Sequence, residues 1–141
     1  MKHLKKQVEF IEEIEKLKTI TRFNRTLDGR FENSAEHSWQ VALTSVILKD
    51  YYPHKIDIEK VLLMLLIHDL GEIYAGDTWV FDDLKKSSAH EKESQSIDKS
   101  LSILPIDQFS FLKESWIEFE TGNSAEARYA RVIDALVPLI N

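Results

Sequence analysis

With 141 residues, 43% of them hydrophobic and 30% charged, four Gly and three Pro, the chain has the balance of one helix-rich globular domain, residues 1–141, and not of a low-complexity or disordered polymer. The formal charge of −6 excludes a basic stripe for polymeric nucleic acid or an anionic membrane surface, and the absence of Cys excludes disulfides and thiolate metal ligation. The amino terminus has no apolar signal core and the run Val61–Ile67 is too short to span a bilayer, so a soluble cytoplasmic protein is expected.

In chain order, Leu4, Val8 and Ile11, with the neighbouring set Phe10, Ile14 and Leu17, predict an amphipathic helix from about Lys2 to Lys18. Ile20 to Glu32 carries no helical stripe and contains Asp28-Gly29, so it reads as a connecting loop of a length that often bears function. Asn33 and Glu36 have capping-box spacing and open a helix to about Lys49, which puts His37 in its first turn. Asp57 caps a further helix, Ile58 to Leu70, with Ile56 and Val61 at staple spacing and Gly71 as its stop. Gly76 to Lys86 reads as a loop, and Ser88 with Glu91 as the cap of a helix bearing Ile97, Leu101 and Leu104 and ended by Pro105. Phe109, Leu112, Trp116 and Phe119 mark the next helix, stopped by Gly122, and Asn123 with Glu126 caps a last one that carries Ile133, Asp134 and Val137. No segment alternates convincingly with period two, so the expected class is all-α, a compact bundle of about six helices.

The chemistry concentrates where the apolar run Val61–Ile67 ends in His68-Asp69, followed closely by Glu72 and Asp77. A buried imidazole and carboxylate side by side need partners, and a divalent cation serves both. His37, His68, Asp69 and Asp134 come from three helices, the arrangement from which bundle-core metal sites are built. Imidazole with carboxylate suits manganese, iron, cobalt, nickel or zinc better than calcium. Each residue also has a plainer reading: His37 as a first-turn residue, His68-Asp69 as a helix-end pair, and Asp134 as a partner of Arg131 or Arg128 with a kink or helix end at Pro138. His90 shares a face with Ser94, Ile97 and Leu101 and is the candidate for a second metal or else a capped, half-exposed histidine, while Trp79 and Phe81 are candidates for a nucleoside pocket or for core or lid packing.

Ala35–Trp39 (AEHSW), the HDLGE and GD segments between His68 and Asp77, and the late helical Asp134 together resemble the HD-domain phosphohydrolases. The likeness is nearest to the branch that includes 5'-deoxynucleotidases, with LKTITRFNR upstream and EFETGNSAEAR downstream in matching order. The resemblance implies an HD-domain helical bundle and one divalent metal on His37, His68, Asp69 and Asp134, with manganese, cobalt, iron, nickel, zinc or magnesium all admissible. It further implies Arg22 as an anion clamp and Glu72 and Asp77 near the reacting phosphate. Phe23 stands where such relatives commonly place Trp, and Phe23 and Trp79 are the remaining expected substrate contacts. Relatives usually continue with further helical residues after the late Asp, and they commonly form dimers.

The residue chemistry agrees with hydrolysis of a phosphate monoester, most naturally a 5'-(deoxy)nucleoside monophosphate, by a metal-activated water. Arg22 offers a planar fork to two oxygens, and one of Glu72 and Asp77, Asp77 being preferred, protonates the leaving sugar hydroxyl. Three alternatives stand beside it: a guanosine polyphosphate pyrophosphohydrolase, which would want more cations than Arg22, Arg25 and Arg30; a dinuclear-iron oxygenase using His90; and a metal-holding regulatory domain without turnover, in which Glu72 and Asp77 would have no task.

Overall fold

The computed structural model describes residues 2–75 and 83–141, the side chains of 83–89 excepted. Among these residues the α-helices are α1 (Leu4–Ile14), α2 (Ser34–Leu48), α3 (Ile58–Ile67), the single turn α4 (Glu72–Ala75), α5 (Asp83–Leu101), α6 (Ile106–Thr121) and α7 (Ala125–Ile140). No helix among them is long and apolar enough to cross a membrane. Six are of ten residues or more, in keeping with the helical bundle that the sequence predicts.

One segment departs from expectation. Residues 20–32 are not a featureless loop but contain an antiparallel hairpin, β1 (Thr21–Arg25) with β2 (Phe31–Asn33), turning through Gly29 at φ +88°. Only Gly adopts that backbone at no steric cost. The strands do alternate in exposure, but the sheltered positions, Arg22, Asn24 and Glu32, are polar, so hydrophobic patterning does not reveal them.

Local signals account for most helix ends. Asn33 accepts from the Glu36 amide while the Glu36 side chain reaches back to the Asn33 amide, completing the capping box of α2. Asp57 caps α3 through the Glu59 amide, and Gly122, at φ +67°, closes α6 by donating to the Glu118 carbonyl. Three ends are corrected. The last helix is capped by Ser124 through the Ala127 amide, not by Asn123. Helix α5 begins at Asp83, so Ser88 lies inside it and is no cap. Gly71 is not a left-handed stop for α3; a Cβ there would meet the Glu93 carbonyl oxygen at 3.0 Å, so its smallness admits α5 against the turn.

Two apolar clusters support the fold. One joins Val41, Met64, Leu65, Phe119, Ile133 and Val137, locking α2, α3, α6 and α7 together. The second joins Leu17, Ile67, Ile97, Leu101 and Trp116 and draws in Phe10 from α1. The outer members of the predicted α1 stripe do not follow: Leu4, Val8 and Ile11 remain exposed along a groove shared with Phe111 and Leu112. Glu13 takes the buried place on α1, receiving hydrogen bonds from the Tyr74 hydroxyl at 2.6 Å and the Ser100 hydroxyl at 3.0 Å, with Lys16 at 2.7 Å.

Candidate metal centre

Each ligand candidate sits where a helix turns its buried stripe toward the first cluster. On α2 the sheltered residues are Ser34, His37, Ser38, Val41, Ala42 and Ser45, a run of three- and four-residue steps that carries His37 inward with the aliphatic side chains. On α3 the buried residues Val61, Met64 and Leu65 lead to His68 at the helix end. On α7, Ala127, Ala130 and Ile133 pack against the same cluster and set Asp134 at its edge. Pro138 does not end that helix, which runs on to Ile140.

The side chains converge. Asp134 Oδ1 lies 2.6 Å from His37 Nε2 and 3.1 Å from His68 Nε2, and Asp69 Oδ2 is 3.3 Å from the same His68 nitrogen. Ligand atoms of His37, His68 and Asp69 all fall within 4.8 Å of one another, a spacing that one cation can bridge. His68 Nδ1 is 2.6 Å from the Leu65 carbonyl. A carbonyl only accepts, so Nδ1 donates, the ring is oriented by the backbone of α3, and Nε2 is the nitrogen offered to the site.

Burial pulls the His68 pKa down, but the Asp69 and Asp134 carboxylates outweigh it and raise it to about 10. For Asp134, burial pushes the pKa up, and the hydrogen bonds from His37 and His68 overcome this and hold it well below the usual carboxylate range. In the metal-free chain a proton thus sits on Nε2, between the groups a cation would join. Two imidazoles and two carboxylates of this reach would suit a divalent metal, which would take the place of that proton.

Arg22 reaches in from β1. Its Nη1 donates to Asp69 Oδ2 at 3.2 Å, and its Nε lies 3.3 Å from Glu32 Oε1 as an ion pair without hydrogen-bond geometry. Glu72, on α4, is buried and accepts from the Ser34 hydroxyl at 2.6 Å, which ties it to the helical face that carries His37. Phe23 is exposed and, by strand alternation, faces away from Arg22, so the structure does not bring it to the cluster. Asp77 and Trp79 lie outside the described residues. His90 stacks on Trp116 with Nδ1 3.4 Å from Glu120 and is not in the ligand cluster.

The sequence profile of the HD domain matches residues 14–141. The chain belongs to the HD-domain family. Human 5'-deoxynucleotidase HDDC2 is 29% identical over 105 residues, 74% of this HD domain and 50% of that protein. The crystal structure of a predicted metal-dependent phosphohydrolase from Magnetospirillum magnetotacticum is 40% identical and superimposes with a TM-score of 0.90, over 98% of this chain and 69% of that one. A conserved hypothetical protein from Pyrococcus furiosus gives a TM-score of 0.68 at 27% identity, over 92% and 76%. The HD domain described here spans about half the length of the first curated relatives it matches.

Sequence reasoning assigned nothing to Glu32 and Ser34, both buried and both touching residues it had singled out. For Ser34 a usable signal exists, since it stands three residues before His37 on the same helical face. For Glu32 the signal needs the hairpin, which pairs Thr21 with Asn33 and so sets Arg22 beside Glu32 on the neighbouring strand.

Proposed function

We propose that this HD domain hydrolyses phosphate monoesters, with 5'-(deoxy)nucleoside monophosphates as the substrate class and one divalent cation held by His37, His68, Asp69 and Asp134. The observation that carries the reading is the convergence of both imidazole Nε2 atoms on Asp134 Oδ1, with Asp69 and the Arg22 guanidinium on the adjoining side. The relatives named 5'-deoxynucleotidases supply the nucleotide class.

A bound divalent cation lowers the pKa of a coordinated water, to about 7 with zinc, and neutralises a phosphoryl oxygen. Arg22, aimed at the Asp69 side of the cluster, presents its fork to the phosphate oxygens. Glu72 is held as a hydrogen-bond acceptor by Ser34, which fixes its carboxylate and suits it to orienting the attacking water. Asp77 is assigned the complementary task, giving a proton to the leaving sugar oxygen. Trp79 is assigned to base or sugar contact, and a homodimer and a cytoplasmic location complete the proposal.

The alternatives find less support. Arg25 bonds the Gly29 carbonyl at 2.7 Å and Arg30 pairs with Glu36 at 2.8 Å, so neither joins Arg22 as the cationic cluster that a guanosine polyphosphate needs. A second iron on His90 lacks companions, because among the described residues the single cluster with ligand spacing is the His37–His68–Asp69 group.

The purified chain, given nucleoside monophosphates with manganese, cobalt, zinc or magnesium, is expected to release inorganic phosphate, and Asp69→Ala to lose both bound metal and turnover. A silent panel across all four metals overturns the activity. Retained metal and turnover in Asp69→Ala overturns the ligand assignment.

A further inference from the structure

We propose that Glu32 is a positioning residue that joins the anion-binding arginine to the metal ligands, so that cation and phosphate are bound cooperatively. The proposal rests on the metal-and-phosphate reading above and adds a residue and a coupling to it. Glu32 is buried in the middle of β2, and a buried carboxylate is tolerated only with compensating partners. Two of its neighbours among the described residues matter here. Oε1 lies 3.3 Å from Arg22 Nε and 3.8 Å from His37 Nδ1.

Each contact has a distinct consequence. Beside His37, a carboxylate 3.8 Å from Nδ1 places negative charge at the ring edge opposite Nε2, which would favour Nε2 as a donor to a cation. Beside Arg22, its charge draws the Nε edge of a long side chain that otherwise samples many rotamers, and leaves Nη1 on Asp69. Arg22 then continues to Asp69 Oδ2, which in turn is 3.3 Å from His68 Nε2, while His37 continues through Asp134 Oδ1 to that same nitrogen. Both branches start at Glu32 and end at His68. The hairpin register makes this possible, since Arg22 and Glu32 lie next to the paired Thr21 and Asn33.

The coupling follows from Asp69 Oδ2, which is shared. Without a cation its charge is turned on Arg22; with a cation on Asp69 that charge is neutralised, and the Nη edge of Arg22, still gripped by Glu32, becomes available to an oxyanion. Linkage requires the reverse as well: an anion on Arg22 tightens the cation.

The test measures manganese affinity by chelator competition, with and without inorganic phosphate, on the full chain. Wild type should bind manganese at least about fivefold more tightly when phosphate is present. Glu32→Gln keeps the shape and removes the charge; it is expected to weaken manganese about tenfold, to weaken phosphate several-fold at saturating manganese, and to reduce the mutual tightening. Arg22→Lys keeps a charge but loses the Nε edge, and should abolish most of the tightening even if Glu32→Gln does not fold. Tightening unchanged in either variant overturns the proposal, as does a Glu32→Gln chain that loses affinity for one ligand alone. Wild type that binds both ligands without turnover overturns the hydrolase reading and leaves this one standing.

Discussion

The two halves of the candidate centre are built from different material. The helical half, with the proposed ligands His37, His68, Asp69 and Asp134, stands on α2, the end of α3 and α7, whose other faces are locked into one apolar cluster. The anion-facing half hangs from a two-stranded hairpin of five and three residues, an element that is marginal in isolation. Its side-chain purchase on the rest includes Arg22 with Asp69, Glu32 with His37 and Arg30 with Glu36. A packed helical core sets atoms before any ligand arrives, whereas a polar hairpin is completed by the ligands it helps to hold. Apart from Glu32, which lies beside His37, hairpin positions are therefore expected to act mainly on phosphate affinity, and core packing on metal affinity.

The largest test of that division is Asp134→Ala, which removes the oxygen shared by both imidazoles and should lower metal affinity by more than about a hundredfold, as read by chelator competition. Next, Ile133→Ala, one residue away but buried in the cluster, should cost about 2–5 kcal/mol of stability in denaturant melts. A hairpin change should behave differently. Gly29→Ala meets no neighbouring atom but forces a side chain into φ +88°, costing about 1 kcal/mol, and should weaken phosphate binding several-fold while metal affinity stays within about twofold. Equal losses for both ligands would erase the distinction.

A subtler effect concerns pH. In the folded metal-free chain His68 stays protonated to about pH 10, against an ordinary value of 6.5. A raised folded pKa contributes stability that is fully present below 6.5 and lost as pH climbs toward 10. Thermal melts in chelator should therefore show the melting temperature falling across that window, with a much smaller fall when metal has replaced the proton. A melting temperature that rises with pH there would contradict the imidazolium assignment.

What the sequence reveals depends on which force places a residue. His37, His68 and Asp134 ride on helical stripes made legible by hydrocarbon periodicity, and the caps at Asn33, Asp57 and Gly122 are local chemistry readable within a few residues. Arg22 was reachable through family resemblance, but its geometry was not, because its strand shelters polar side chains against a site and so lacks alternating hydrophobicity. Glu32 was hidden for the same reason. Helix α5 begins earlier than its caps suggested, and α7 one residue later, since Asn123 and Ser124 are both good caps and only the backbone decides between them.

Glu13 carries one more consequence. On α1 the hydrocarbon of Leu4, Val8 and Ile11 stays largely in solvent, while the carboxylate two residues after Ile11 is enclosed by Tyr74, Ser100 and Lys16. Substitution tolerance along this helix should then run opposite to hydropathy. In a saturation library the greasy positions 4, 8 and 11 should accept polar replacements, and position 13 should reject aliphatic residues, because the Tyr74 and Ser100 hydroxyls and the Lys16 ammonium all turn toward its carboxylate.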